Sequence, residues 1–444
     1  VSAHDSRTSL GVSWAGATCP RPARSFVALA LVAVLAGCAA VHQADEPAAS
    51  DDDRPTPEAQ TPSPFFEARS QEAVYAGPGR DTPPPEDLAE IRIGWFGPDD
   101  PQHPTAGAMW QAATLAVEEA NRAGGLDGVP FRLLACWSEN PWGSGVRDVT
   151  RLVYDDQVWA MVGAPDGPSA HLVEQITAKA RLPFLSCAST DKTANLANVP
   201  WIFSLVPSDD AIARVLAPAI ADQAGGADIV VVSATDHDSR MAVKELLVEL
   251  KRRDVFPTHH LNIRPGAGDF SRQLETIRQA DPGALALIAG PVDSARFVKA
   301  LQQAGQTVPV FGGPNMARRH FADLAGRAAG GVRAPIMWDL ENNDPRAKAF
   351  IIECVERTGD FPDYTAVYAY DAMSLLIEAI SKAGLNRVRI RDAIRGLSGW
   401  EGVTGTITWD PTGQNTGAVT LGVVRKGRVL PAPCSSSHTR SRTR

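Results

Sequence analysis

The sequence predicts an α/β protein of two lobes, each built on a parallel sheet with helices on both faces. Three observations carry the prediction. Between Ile91 and Leu430 short apolar, β-branched runs alternate with longer segments of helical period, the pattern of a parallel sheet covered on both sides. At 444 residues, with 44% hydrophobic and 21% charged, the chain has ordinary globular composition and is too long for one average domain. No fixed-period repeat runs along it, which argues against a solenoid.

Strands are expected at 91–97 (IRIGWFG), 131–136, 158–163, 182–186, 227–233, 284–290 and 308–313, each followed by a helical stretch. In 106–123 the residues Met109, Ala112, Ala113, Ala116, Val117 and Ala120 recur every three or four positions, and Gly124 with Gly125 ends the helix. Val243, Leu246, Leu247 and Leu250 form a second such stripe. These stripes are core. After Pro335 the rhythm changes to two long helices, 344–358 and 364–383. A hairpin-like pair follows, 403–410 with 418–430, turning at Asp410, Pro411, Thr412 and Gly413.

The ends read differently. After Arg21 and Arg24, the apolar run from Phe26 to Ala36 has about 11 residues, too few to span roughly 30 Å of hydrocarbon. It reads as the h-region of a signal peptide covering 1–37. It closes in Leu35-Ala36-Gly37-Cys38, which resembles the bacterial lipobox and implies a lipidated Cys38 anchored in a membrane of the cell envelope. Residues 38–87 are rich in Pro, Asp and Ala and predict a disordered tether. Residues 431–444 form a polar tail.

Composition also excludes function classes. With 43 Lys and Arg against 51 Asp and Glu, the net charge is −8, which disfavours nucleic acid as a partner. Six cysteines without a CxxC pair leave no zinc ribbon or thioredoxin-like site. The chain has no GxSxG, HExxH or GxxxxGK[ST] segment, so neither a catalytic residue nor a cofactor is expected. His171, His259, His260 and His320 show no metal-ligand spacing.

The segment LAVEEANRAGGLDGVPFRL (115–133) resembles the first helix and turn of the Leu/Ile/Val-binding proteins, the type I periplasmic solute-binding proteins of ABC importers. LSCAST (185–190), GDFSRQLETIR (268–278), FGGP (311–314), YAYDAMSLLIEAI (368–380) and GTITWDPTG (405–413) continue the resemblance in collinear order. It implies two Rossmann-like lobes joined by three crossovers, near Val206, Ala334 and Gln414. Lobe 1 is then 91–206 plus 335–414, and lobe 2 is 207–334 plus 415–430. It also implies a small polar solute, amino acid or amide-like, held in the interlobe cleft and passed to ABC permease membrane subunits. The alternative from another class is a lipoprotein of the same fold that acts by interaction, as a cell-wall synthase activator or a sensor partner.

In open α/β sheets ligand groups sit beyond the carboxyl ends of strands, where loops and helix N-termini present N–H donors. Two loops fit, 164–170 (APDGPSA) and 186–190 (SCAST). By the resemblance Ala188 offers backbone atoms and Thr190 its hydroxyl, with Ser189 between; alternatively Ser189, Thr190 and Asp191 cap a helix. The hydroxyl expected on the first loop falls at Gly167, with Ser169 two residues on. The expected aromatic near the first helix falls at Thr105, with His103 as substitute, and the glutamate that pairs an ammonium falls at Asn315. A desolvated ammonium needs an acceptor charge. Asp238, in the run DHDSR, is the candidate, with Arg240 orienting it or meeting a second anionic group of the ligand; the other reading is a charged loop capping a helix from about Arg240. Trp137, just past a strand end, offers an apolar or cation-attracting wall.

Past the signal peptide the chain keeps Cys136, Cys187, Cys354 and Cys434. With strand order 2-1-3-4-5, Cys136 and Cys187 end strands roughly 14 Å apart, beyond the roughly 7 Å reach of a disulfide. A Cys354–Cys434 pair remains open.

Overall fold

The computed structural model describes residues 74–197, 199–341 and 343–431. The signal peptide, the lipobox with Cys38, most of the tether, Cys434 and all but the first tail residue lie outside the described residues.

The first lobe begins with β1 (Ile91–Phe96), α1 (Gly107–Arg122), β2 (Phe131–Cys136), α2 (Val146–Thr150) and β3 (Met161–Gly163). α3 (Gly167–Ala180), β4 (Phe184–Ser186), α4 (Thr193–Leu196) and β5 (Ile202–Ser204) follow. The five strands pair in parallel in the order β2-β1-β3-β4-β5. This order puts the ends of β1 and β3 at a switch point where loops diverge. Trp95, Phe96, Phe184 and Phe203 are fully buried in this lobe.

The second lobe alternates α5 (Asp209–Ala224), β6 (Ile229–Ala234), α6 (His237–Lys251), β7 (His259–Ile263), α7 (Ser271–Ala280) and β8 (Ala284–Ile288). It continues with α8 (Pro291–Gln303), β9 (Val310–Gly312), α9 (Arg319–Ala325) and β10 (Arg333–Ile336). α10 (Pro345–Thr358), α11 (Tyr364–Ala383) and α12 (Arg387–Gly396) come next, with α11 packed along α1 of the first lobe. Then follow β11 (Trp400–Gly402), β12 (Gly405–Ile407), β13 (Thr420–Arg425) and β14 (Arg428–Pro431). The second sheet has the order β14-β13-β10-β9-β8-β6-β7, antiparallel only where β13 and β14 join it.

The chain crosses between sheets after β5, after β10 and before β13, so β10 carries the second sheet through Ile336, two residues past the crossover expected at Ala334. Two crossings are tied side by side. Ser204 N donates to Gly413 O at 2.9 Å, Gln414 Nε2 to Val206 O at 2.6 Å and Asn415 Nδ2 to Leu205 O at 2.6 Å. Leu205, Val206 and Ile212 join the buried residues of both sheets into one apolar cluster on this side. No helix among the described residues is long and apolar enough to cross a membrane.

Three expectations are corrected. The segments 403–410 and 418–430 do not form one hairpin: β11 pairs β12 and β13 pairs β14, while the Asp410–Gly413 turn is bracketed only by the isolated bridge Trp409↔Asn415. Strands β5, β7 and β10 were absent from the predicted set. β5 is three residues long, β7 is a mostly exposed edge carrying two histidines, and β10 contains a proline. Finally, the tether does not extend to residue 87. Asn386, the cap of α12, donates to the carbonyls of Gly79 and Thr82 at 2.8 and 2.9 Å, Arg80 pairs with Asp392 at 2.9 Å, and Tyr75 packs on Trp201 at 4.7 Å. Composition registers apolar area alone, whereas this segment is held by its backbone carbonyls together with one ion pair and one ring contact.

Cys434 lies outside the described residues; Cys136, Cys187 and Cys354 are buried and form no disulfide among the described residues. Burial pushes each of them up to about 12, so they are inert as nucleophiles.

Candidate functional site

Two helix N-termini of like construction face each other across the lobes. The chain leaves β3 through Gly163 (φ 124°) and Ala164 (φ 64°), two successive left-handed residues, a strained exit of the kind that clusters at binding loops. It then enters α3, where Asp166 caps by accepting from Ser169 N at 2.9 Å. In the second lobe Asp236 caps α6 in the same way, accepting from Ser239 N at 2.9 Å. The hydroxyls of Ser169 and Ser239 are buried without a hydrogen-bond partner.

Asp238 lies in the first turn of α6 and reaches the first lobe: its Oδ1 accepts from Gly167 N at 2.9 Å. The capping role considered for it belongs to Asp236. A Cβ on Gly167 would lie 2.4 Å from Asp238 Oδ1, 2.9 Å from His237 Cδ2 and 3.1 Å from Asp191 Oδ2. The hydroxyl expected at Gly167 is therefore missing because side chains of both lobes fill its place.

Asp191 is the second junction. Its Oδ1 accepts from Thr193 N and Oγ1 at 2.8 and 2.6 Å. Its Oδ2 meets His171 Nε2 at 3.1 Å and, from the other lobe, His237 Nε2 at 2.6 Å. Lys192 crosses to Glu245 at 2.5 Å. Arg318, at the start of α9, donates to the Thr105 carbonyl and to Thr365 Oγ1, the latter at 3.3 Å.

The electrostatics are acidic. Burial alone raises the Asp191 carboxyl, but its bonds from His171, Thr193 and His237 outweigh burial and hold it well below the usual carboxylate range. Those same contacts act on His171, whose imidazole is raised chiefly by the bond to Asp191. Asp209, at the N-terminus of α5, is raised well above the carboxylate range by burial and by the charges of Asp238, Asp191 and Glu245, against a bond from Thr190. Loss of solvation raises Asp238 likewise, with Asp166 adding to it. Burial also raises the Tyr364 phenol, within the field of Arg318, Asp209 and Asp238.

The other predicted residues divide. Ala188, Ser189 and Thr190 lie on the loop leading to Asp191, where Ser189 Oγ accepts from Asp191 N at 3.3 Å. It is Asp191 that receives the first amide of α4. His103 Nδ1 accepts from Ala106 N at 3.1 Å, and His103 and Thr105 line a neighbouring cavity of about 340 Å³ with Arg319, His320 and Phe361. Asn315 donates to Ala289 O at 3.3 Å. Two assignments are corrected. Arg240 is exposed and makes no side-chain hydrogen bond or ion pair among the described residues, so of its two expected roles it does not fill that of orienting Asp238. Trp137 packs on Phe96 at 5.5 Å against the first lobe's core instead of walling the cleft.

His171, His237, Lys192, Glu245, Arg318 and Tyr364 were missed, because none stands out by spacing. The repeat of Asp-x-x-Ser at 166–169 and 236–239, each just past a strand, is the feature that marks both helix starts.

A family model for periplasmic binding proteins matches residues 90–428. A protein of Pseudomonas aeruginosa described as an amino acid binding protein is 23% identical over 309 residues, 67% of this chain and 80% of that protein. Among solved structures, the branched-chain amino acid transporter substrate-binding protein LivJ of Streptococcus pneumoniae, in complex with isoleucine, superimposes with a TM-score of 0.70 at 20% identity, over 77% of this chain and 97% of that one. The solute-binding protein of an ABC transporter from R. palustris, in complex with benzoate, gives 0.69 at 16% identity, over 77% and 95%.

Proposed function

Because the chain belongs to the periplasmic binding protein family, we propose that it is an extracytoplasmic lipoprotein that captures a small polar solute between its lobes and hands it to the membrane subunits of an ABC importer. The observation that carries this reading is the facing pair of capped helix N-termini, bridged by Asp238 on the Gly167 N–H. Contacts that exist only when the lobes meet shift the open–closed equilibrium, and a permease reads the closed state. Lipidation at Cys38 keeps the protein at the membrane.

The solute is amino acid or amide-like. Asp238 and Asp209, buried and raised well above the usual carboxylate range, are the acceptors open to a solute amine, whose positive charge favours their ionised form, in place of the glutamate that Asn315 replaces. A free carboxylate must displace Asp238 from the Gly167 N–H, whereas an amine or amide need not. That occupied donor also favours the second reading, a non-transport interaction lipoprotein in which the protein's own carboxylate holds the lobes together.

The test is a thermal-shift screen with amino acids, amides, amines and small carboxylates, followed by calorimetry on the wild type and Asp238→Ala. Transport predicts a stabilising solute whose affinity falls at least about tenfold in the variant, as for loss of a charged partner. Unchanged affinity removes Asp238 from the site. No stabilising solute at all leaves the interaction reading.

A further inference from the structure

We propose that His171, Asp191 and His237 form a divalent transition-metal site that ties the two lobes together. Nε2 of both imidazoles converges on one carboxylate oxygen, Asp191 Oδ2, at 3.1 and 2.6 Å, and the three donor atoms lie within 4.8 Å of one another. His171 and Asp191 belong to the first lobe and His237 to the second. The metal therefore bridges the cleft. This inference rests on the lobes' geometry and not on the identity of the solute.

Two imidazoles and one carboxylate are a donor set for zinc or its neighbours, with an open position left for water or a ligand group. Tetrahedral bonds of about 2.0–2.1 Å separate ligand atoms by about 3.3 Å, so each imidazole nitrogen needs to move from the Asp191 oxygen by only about two to seven tenths of an ångström, while the two nitrogens, within 4.8 Å of each other, settle around the ion. The carboxylate is already oriented: its other oxygen holds Thr193 N at 2.8 Å and Thr193 Oγ1 at 2.6 Å, and the same hydroxyl, 2.9 Å from His171 Nε2, positions that imidazole and yields its nitrogen to the ion. Such outer contacts set ligand direction in metal sites. The Asp191 side chain is 1% exposed, whereas the histidines are 22% and 30% exposed, which leaves an entry path on one side.

The surrounding charge fits a cation. Asp238 and Asp209 stand beside the cluster, and among the described residues neither forms an ion pair with Lys, Arg or His. The neighbouring ammonium, Lys192, is engaged by Glu245.

The protein is stripped with a chelator and titrated calorimetrically with Zn²⁺, and with Co²⁺ as a spectroscopic probe. One equivalent of Zn²⁺ is expected, with intense tetrahedral Co²⁺ ligand-field bands. His237→Gln should weaken binding on the order of 100-fold, Thr193→Ala by about 10–100-fold, and His260→Ala, on β7, should leave it unchanged. Circular dichroism checks that each variant folds. Scattering should show a more compact particle with Zn²⁺, and no such compaction in His237→Gln. Stoichiometric uptake unaffected by both His171→Gln and His237→Gln, or no uptake by the wild type, overturns the proposal. Solute affinity measured on the stripped protein tests the transport reading separately, so either can fail alone.

Discussion

Replacing Gly167 with alanine separates the closed arrangement from the fold of the lobes. Gly167 opens α3 without a left-handed φ, so its own backbone accepts a side chain, and losing glycine's flexibility stabilises a helix by up to about 1 kcal/mol. The cost falls between lobes. The added carbon lies 2.4 Å from Asp238 Oδ1 and 2.9 Å from His237 Cδ2. Asp238 must leave the Gly167 N–H, a charge-assisted bond of about 1.5–3 kcal/mol, and the residual crowding adds about 1–3 kcal/mol. Together the closed state loses about 2.5–6 kcal/mol, which lowers its ratio to the open state by roughly 70- to 25,000-fold. Small-angle scattering reads the particle size and calorimetry the melting temperature. We expect a larger, more open particle with an unchanged or slightly raised melting temperature, and partial recovery of the compact form when Asp238→Ala is added, since that change relieves the crowding but not the lost bond. A Gly167→Ala profile superimposable on the wild type would refute the reasoning.

Three further outcomes follow from the same contacts. Asp371 accepts from Val403 N and from Thr404 N and Oγ1 at 2.9, 2.7 and 2.6 Å, and burial raises its carboxyl from 3.8 to about 6. The folded state therefore holds this proton longer than the unfolded one, so its contribution is greatest below about pH 4 and falls by ~3 kcal/mol as pH rises to about 6. Urea unfolding from pH 4 to 7 should show the wild type losing stability relative to Asp371→Asn across that window; a constant difference contradicts it. Asn386→Ala removes a cap that accepts from Val388 N and Arg389 N at 3.0 Å each and releases the carbonyls of Gly79 and Thr82. A loss of about 0.5–2 kcal/mol should accompany faster amide exchange confined to residues 75–83 and the start of α12. Glu245→Gln leaves Lys192, whose side chain is 10% exposed, without its counter-charge, a loss of about 3 kcal/mol for a buried pair. The scattering profile should open, and Lys192→Met with Glu245→Met should restore part of the closure.

Elements whose pattern is local were legible in the sequence. The stripe from Met109 to Ala120 marked α1, and the helix expected at 364–383 coincides with α11, because side-chain periodicity follows from the 3.6-residue turn itself. The two-lobe α/β architecture followed from the alternation of such segments. Pairing partners were not legible where strands are short or charged, as for β7 and the β11–β12 hairpin, since register there depends on neighbours and not on the strand's own residues.

The site divides the same way. Gly167 and Asp238 were each singled out from their loops, yet that they touch, across 71 residues of chain, is decided by how the lobes meet. His237 and Asp191 are 46 residues apart and His171 lies on a third segment; none shows a motif. Sequence determines which segments form and which faces are apolar, because those follow from local backbone geometry and solvation. The convergence of five acidic and imidazole side chains at the lobe junction depends on loop closure and packing summed over both lobes, and only the tertiary structure decides it.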